Sequence, residues 1–176
     1  FFYLFLYPAI SDEKEEIIKK LNNTHSLTFN FIQNNNQEIE NGKCIILFPG
    51  KMKCTYFDKN KKEIIINKKS LAITQKRYNK TYFYPIGKSH FINILDKKKL
   101  INTIKNSQFI QKNESINLIL ENKNKEKIIL IFDKEKFILK GWIINDRFNN
   151  LINFQIKIIS TNDFIEENEF KIPERN

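Results

Sequence analysis

Residues 42–56 read GKCIILFPGKMKCTY. Pro49-Gly50 is a strong turn signal. After it, apolar Met52, Cys54 and Tyr56 alternate with polar residues, and before it Cys44, Ile46 and Phe48 occupy every second position. Such an alternation places every second side chain on the same face of a strand. The stretch therefore predicts an antiparallel β-hairpin that has one apolar face.

Cys44 and Cys54 lie on the apolar face of this predicted hairpin, and a turn centred near Pro49 would place them roughly opposite each other. In an oxidising compartment the two thiols could form a disulfide. They could equally remain two buried thiols that pack as small apolar groups. The register decides between these alternatives, because a slip of one residue across the turn would misalign the pair.

Strand signals continue on both sides of the hairpin. Upstream, Leu27, Phe29 and Phe31 alternate with polar residues, which predicts a strand with one buried face and one face in water. Downstream, segments of the same kind recur with turn residues between them, at 63–67, 70–75, 79–84, 108–112, 115–121, 127–133, 136–145 and 151–160. This spacing predicts a mostly β fold, built as an antiparallel sheet or barrel.

Two segments have helical patterns instead. Residues 12–22 carry acidic side chains at their start and an apolar stripe after it, so they predict a first helix that Ser11 or Asp12 caps. Within 87–106, apolar residues recur at intervals of three and four, which predicts one or two short helices. We therefore expect a few helices beside the strands.

The N-terminus begins with an apolar run, 1–10, that is too short to cross a membrane. Ala9-Ile10-Ser11 places small residues where a signal peptidase requires them. We therefore interpret 1–11 as the remnant of a signal peptide whose start is missing, and 12–176 as one exported domain. A buried N-terminal strand is the alternative interpretation.

The charge of the chain suggests nucleic acid at first sight, because its formal net charge is +10. Almost all of its basic residues are lysines, however, and the arginines are only Arg77, Arg147 and Arg175. Arginine supplies the bidentate contacts that read bases and grip phosphates. Lysine, asparagine, isoleucine and phenylalanine are enriched together, which is typical of an AT-rich genome, so we expect no nucleic-acid partner.

Catalytic motifs are absent from the sequence. His25 and His90 lie far apart, and neither belongs to a metal-binding motif. The chain has no glycine-rich phosphate loop, no nucleophile elbow and no paired-cysteine metal spacing. We expect a protein that is not an enzyme and that uses no metal or cofactor.

Residues 29–33 read FNFIQ, and together with 42–56 they resemble the opening of the LolA family of periplasmic lipoprotein carriers. That family ends a strand with F-x-Q and continues with G-x-L and R-P-x-x-F-x-W. Further resemblances follow in the family's order, at 63–71 (strand, turn, strand), 85–86 and 91–95 (a P-L and paired-leucine segment), 145–150 (a D-x-x-G turn) and 170–173 (a closing F-x-x-P). The resemblance spans nearly the whole predicted domain.

Three positions depart from the family pattern. Phe48 stands where the family has an arginine that holds a helical lid closed, Lys68-Lys69 replaces its D-G turn, and Cys54 replaces its tryptophan. The arginine latch therefore does not carry over to this chain. We expect the closed state to depend on hydrophobic packing alone, without a polar latch.

The resemblance implies an incomplete antiparallel β-barrel of about ten or eleven strands, covered by an α-helical lid over an apolar cavity. Acyl chains need only apolar surface, so residues that face inward would bind them. The expected acyl-chain-binding residues are Leu27, Phe29, Phe31, Ile46, Phe48, Met52, Tyr56, Phe91, Leu95 and Leu100. The alternative is that these side chains form an ordinary filled core.

The same resemblance implies a monomeric carrier in the periplasm. Its partners would be acylated lipoproteins, an inner-membrane lipoprotein-releasing ABC transporter as donor, and an outer-membrane receptor lipoprotein as acceptor. A related periplasmic lipid-binding or envelope-sensing domain on the same fold is the alternative function, since a fold does not fix a function.

Overall fold

The structure is a computed structural model that describes residues 9–35, 38–85, 94–121, 127–145 and 151–174. Its two α-helices in these ranges are α1 (Ala9–Asn22) and α2 (Lys97–Asn106). The start predicted for α1 at Asp12 is wrong by one turn. An acidic side chain inside the first turn interacts with the helix dipole as favourably as one at its start, so Asp12 does not mark the end of the helix.

Helix α2 lies in the predicted helical segment, of which the structure describes 94–106. Asp96 caps it, since its carboxylate accepts a hydrogen bond from the backbone N–H of Lys99 at 3.1 Å. Leu100 and Ile104, one turn apart, are the buried residues of this helix. In the described part of the chain, neither helix is long and apolar enough to cross a membrane.

Eleven strands form in the described ranges, close to the predicted positions. They are β1 (Ser26–Asn34), β2 (Ile39–Leu47), β3 (Lys51–Tyr56), β4 (Lys62–Asn67), β5 (Ser70–Gln75), β6 (Lys80–Pro85), β7 (Gln108–Gln111), β8 (Ser115–Glu121), β9 (Lys127–Asp133), β10 (Leu139–Asn145) and β11 (Leu151–Thr161). Strand β10 starts three residues later than predicted. The Asp133 carboxylate accepts hydrogen bonds from the backbone N–H groups of Glu135 and Lys136. These bonds hold the residues before β10 in a turn instead of a strand.

All eleven strands belong to one antiparallel sheet, in the order β6-β5-β4-β3-β2-β1-β11-β10-β9-β8-β7. Strand β1 is central and pairs with both β2 and β11. Strands β6 and β7 are the two edges, so the sheet is open. The predicted mostly β fold with a few helices is confirmed, in the form of an open antiparallel sheet.

The predicted hairpin is formed by β2 and β3, in a register that pairs Cys44 with Cys54. The structure joins these two cysteines in a disulfide. Both are buried in the main core, on the face of the sheet that meets the helices. Of the two alternatives that the sequence left open, the structure contains the disulfide.

The outer face of β1 differs from the expectation that it meets water. Asn30 is exposed, but Ser26 and Thr28 are buried. The Ser26 hydroxyl donates to the backbone carbonyl of Asp163 at 2.7 Å, and the Asn162 N–H donates to the carbonyl of Ser26. The chain that follows β11 thus covers the start of β1, which the period of the strand does not reveal.

A 3-10 turn near the C-terminus, Glu167–Phe170, packs against β3 and β4. The Lys51 ammonium lies 2.7 Å from Glu167, and the Lys53 ammonium lies 2.8 Å from Glu169. Hydrogen bonds from these lysines lower the pKa of both carboxyl groups. Because Lys51 and Lys53 alternate with residues of the inner core, the turn lies on the outer face of the sheet.

Phe170 anchors this turn, since its side chain is 0% exposed and lies outside the main core. We predict that Phe170→Ala lowers the free energy of unfolding by about 3–5 kcal/mol, the usual cost of truncating a buried phenylalanine. Chemical denaturation measures the free energy of unfolding of each variant. The matched control is Phe164→Ala in the same segment, where the ring is 90% exposed; equal losses in the two variants would show that Phe170 is not an anchor.

Candidate apolar binding cavity

A cavity of about 350 Å³ lies between the inner face of the sheet and the two helices. Its volume is within the range of about 300–1,000 Å³ that is typical of small-molecule sites. Most of the residues that line it are apolar. They are Ile17, Leu21, Leu27, Phe29, Ile46, Phe48, Met52, Ile94, Leu95, Leu100, Ile104, Leu130, Phe132, Phe137, Ile138, Leu139, Trp142 and Ile158.

The register of β1, β2 and β3 explains which of their side chains line the cavity. Leu27 pairs with Ile46, and Ile46 pairs with Met52, so these three side chains form one row across the inner face. Phe29 lies in the next row, beside the disulfide. Seven of the residues predicted to bind acyl chains line this cavity, namely Leu27, Phe29, Ile46, Phe48, Met52, Leu95 and Leu100.

Phe31 and Tyr56 do not line the cavity, so their predicted position is wrong. Their rings meet edge to face with centroids 4.9 Å apart, and the Tyr56 hydroxyl donates to the Gln33 side chain at 3.0 Å. Gly42 lies between them in the register, and a Cβ there would come within 2.7 Å of the Phe31 ring. The glycine thus makes room for the two rings to fill the core on this side of the cavity.

Tyr56 is also tied to charged neighbours. The Lys62 ammonium lies 3.8 Å from the centroid of its ring and forms an ion pair with Glu40. Burial raises the pKa of the Tyr56 hydroxyl, and the negative charge of Glu40 adds to this effect. Phe91, the remaining predicted acyl-binding residue, lies outside the described residues.

One wall of the cavity was not predicted from the sequence. It consists of Leu130 and Phe132 from β9, residues 137–138 before β10, and Leu139 and Trp142 from β10. In the structure, Ile128, Leu130 and Phe132 are buried between exposed or half-buried neighbours. The neighbours Ile129 and Ile131 are apolar as well, so the sequence alone does not show which face of β9 is the inner one. Helix α1 also lines the cavity, through the apolar stripe that predicted the helix.

Trp142 is fixed in this wall by two phenylalanines. Its ring is stacked on Phe154 with centroids 4.8 Å apart, and it meets the ring of Phe29 edge to face at 6.2 Å. Phe154 is its cross-strand partner on β11. The indole is therefore held from two sides.

Polar side chains line the cavity where α1 and β11 end. They are Lys20, Asn23, Thr24, Thr161 and Asn162. The Asn162 amide donates to the Asn23 carbonyl at 2.8 Å and accepts from the backbone N–H of His25 at 2.6 Å. No acidic or histidine side chain is among the lining residues of the described chain, so the surface of the cavity is mainly apolar.

Two lysines connect the helices, and we call this pair of contacts the lysine clasp. Lys14 of α1 donates to the carbonyl of Ser107 at 2.7 Å and of Lys105 at 3.2 Å, at the end of α2. Lys97 of α2 donates to the carbonyl of Thr24 at 2.7 Å and of Asn22 at 3.3 Å, at the end of α1. Each ammonium thus satisfies carbonyls at the C-terminal end of the opposite helix, where the helix dipole favours a positive charge.

Lys97 also lies over the cavity wall, with its ammonium 5.3 Å from the centroid of the Phe48 ring. Burial lowers its pKa. The expectation that the helices are held over the cavity by packing alone is therefore wrong. A sequence pattern could not reveal the clasp, because the acceptors are backbone carbonyls that every residue possesses.

The described residues show no group of three or more His, Cys, Asp or Glu side chains that could hold a metal ion. Their disulfide removes both cysteines as thiolate ligands. What the arrangement offers is a sheltered apolar surface with donors along part of its edge.

Solved structures share this fold. The chain is similar to MucB in its complex with MucA(peri), with a TM-score of 0.50 and 11% identity over 94% of this chain, and it spans 60% of the MucB chain. It is also similar to an uncharacterized conserved protein from Thermus thermophilus, with a TM-score of 0.55 and 9% identity over 94% of this chain and 96% of that one.

A third similar structure is a DUF1329 family protein from Desulfovibrio piger, with a TM-score of 0.51 and 6% identity over 94% of this chain and 98% of that one. Identities this low show a common fold and nothing further about function. No curated protein matches the chain.

A family model covers most of the sequence. The model is described as outer membrane lipoprotein carrier protein LolA, and it matches residues 22–173. These residues include all eleven strands and helix α2. The chain therefore belongs to the LolA family of outer membrane lipoprotein carrier proteins.

Proposed function

We propose that this protein is a periplasmic carrier that binds the acyl chains of lipoproteins in its cavity and moves them from the inner to the outer membrane. The observation that supports this most strongly is the apolar cavity between the sheet and the helices. Each buried methylene group contributes about 0.8 kcal/mol, so an acyl chain binds there without any specific polar contact. In this role the protein carries its cargo and catalyses no reaction.

The donor in this proposal is an inner-membrane ABC transporter, and the acceptor is a receptor lipoprotein at the outer membrane. Cargo must pass from one to the other, so the carrier must bind reversibly. A difference in affinity between its open and closed states would give the transfer its direction. The family's name supports lipoproteins as the cargo.

The small size of the cavity implies that the helices must open before cargo can enter. At about 350 Å³ it is near the lower end of the range for ligand sites, whereas a lipoprotein carries two or three acyl chains. We propose that α1 and α2 move apart from each other to admit them. The lysine clasp and the acyl chains then compete, because the clasp needs the helices together and the cargo needs them apart.

Mass spectrometry of material that co-purifies from the native periplasm tests the function. Lipidated protein bound to the carrier is the expected result. Free phospholipid or fatty acid, with no lipidated protein, would instead favour the second candidate, a lipid-binding or envelope-sensing domain. Similarity in fold to MucB, whose structure contains MucA(peri), supports that candidate.

Phe48 provides a direct test of the cavity, since its half-buried ring lines it. We predict that Phe48→Ala weakens the binding of a fluorescent fatty-acid probe about tenfold or more, because burial of a phenylalanine is worth about 1.5–3 kcal/mol. Fluorescence titration of purified protein measures the affinity for the probe. Phe57→Ala is the control, because this ring is 66% exposed and lies outside the cavity. Equal affinities in Phe48→Ala and wild type would mean that acyl chains bind elsewhere.

Removal of the lysine clasp should have the opposite effect and raise the affinity for the probe. We predict that combining Lys14→Met with Lys97→Met raises the apparent affinity for the same probe by roughly fivefold, because about 1 kcal/mol of stabilisation of the closed state is removed. Methionine retains the apolar part of each side chain.

Lys98→Met is the control for this substitution, since Lys98 is an exposed neighbour of Lys97 on α2. Its probe affinity should equal that of wild type. If the double variant binds the probe no more tightly than Lys98→Met does, the clasp does not oppose ligand entry.

A further inference from the structure

Water reaches the cavity where α1 and β11 end and β10 begins, and we call this opening the mouth. It consists of the lining residues that are exposed, whereas the rest of the described lining is buried or half-buried. The residues of the mouth are Lys20, Asn23, Ile138, Thr161 and Asn162. Because all but one of these are polar, an amphiphile can keep its acyl chain in the cavity and its head group at the mouth.

The mouth is positively charged. Lys20 is the one charged side chain in the described lining, and no carboxylate lines the cavity beside it. A second ammonium lies close by, because Lys97 donates to the carbonyl of Thr24, another lining residue, at 2.7 Å. Ammonium groups at the entrance of an apolar space favour an anionic head group, such as a carboxylate or a phosphate.

The carbonyls at the end of α1 do not engage the Lys20 ammonium, although a lysine in a last helical turn often bonds to them. The backbone carbonyls of residues 19–23 each accept a hydrogen bond from another group. The donors are backbone N–H groups, the Thr24 hydroxyl, the Lys97 ammonium and the Asn162 amide. The end of the helix is therefore satisfied without Lys20.

Carboxylates do not engage this ammonium either. Glu16 lies one turn before Lys20 on the same helix, but it pairs with Lys19 at 3.3 Å. Within the described ranges Lys20 forms no ion pair. Its flexible stem of four carbons allows the charge to follow a head group at the mouth.

We infer that the cavity binds single-chain amphiphiles with an anionic head group. The acyl chain lies inside, and the carboxylate or phosphate pairs with the Lys20 ammonium at the mouth. This inference rests on the proposed function, because acyl chains must enter the same cavity. It adds a class of ligand, free anionic lipids, and a residue that selects for it.

The size of the cavity favours a ligand with one chain. At about 350 Å³ the space is small for a ligand site, so one chain requires less opening than the two or three chains of a lipoprotein. A head group that remains at the exposed mouth also keeps most of its hydration, which avoids the cost of burying a charge.

Competition binding with three ligands of equal chain length tests the inference. Palmitate, hexadecyl phosphate and methyl palmitate are presented from cyclodextrin and displace a neutral fluorescent hydrocarbon probe. We expect Lys20→Met to weaken the two anions about two- to fivefold, the usual range for an exposed ion pair, and to leave methyl palmitate unchanged. Each ligand is compared with itself in wild type and variant, so differences in solubility between ligands cancel.

Lys43→Met is the matched control, because it removes the same charge from an exposed lysine. Lys43 lies on the outer face of the sheet, since its neighbour Cys44 belongs to the inner core. This variant should bind all three ligands as wild type does. If only one of the anions responds to Lys20→Met, that anion identifies the head group as a carboxylate or a phosphate and supports the inference.

Equal affinities of Lys20→Met and Lys43→Met for both anions would overturn the inference. An equal loss for methyl palmitate and the anions in Lys20→Met would overturn it too, because the effect would then not depend on charge. In both cases the proposed function stands as long as the ligands displace the probe. Failure of all three ligands to displace the probe from wild type would overturn both.

Discussion

The structure depends on the pairing of β1 with two neighbours at once. β1 lies between β2 and β11, so it joins strands β2–β6 to strands β7–β11 in one sheet. Its register aligns Leu27 with Ile46 on one side and Phe29 with Ile158 on the other. A slip of one residue would turn these side chains toward water, so the burial of these two rows fixes the register on both sides of β1.

The cavity follows from how the inner face is filled along its strands. On one side of it, Phe31 and Tyr56 occupy the space that Gly42 leaves, and the core is solid. Next to this, the smaller side chains of Leu27, Ile46 and Met52 face helices that are tied to each other by lysines as well as by packing. In the proposed function these polar contacts regulate access to the apolar space, because they cost less to break in water than the burial of the helices' apolar faces.

The strands could be predicted from the sequence because their alternation is regular, and β5, β8 and β9 have the predicted bounds. The alternation identifies the inner face but not the depth of each residue, which is why Phe31 was expected in the cavity. Burial of Ser26 depends on a segment about 137 positions away. The Lys14 and Lys97 contacts join residues 93 and 73 positions apart and end on carbonyls, so they leave no trace in the sequence.

The central claim is that acyl chains enter the space between sheet and helices. It is tested most directly by methyl NMR of the protein with a fatty acid that carries a nitroxide label near the end of its chain. The account predicts that the methyl signals of Ile17, Leu100 and Ile104 broaden as one ligand binds, while exposed Ile39 and Ile159 keep their signals. Broadening at Ile39 or Ile159, with the signals of Ile17, Leu100 and Ile104 unchanged, would contradict it.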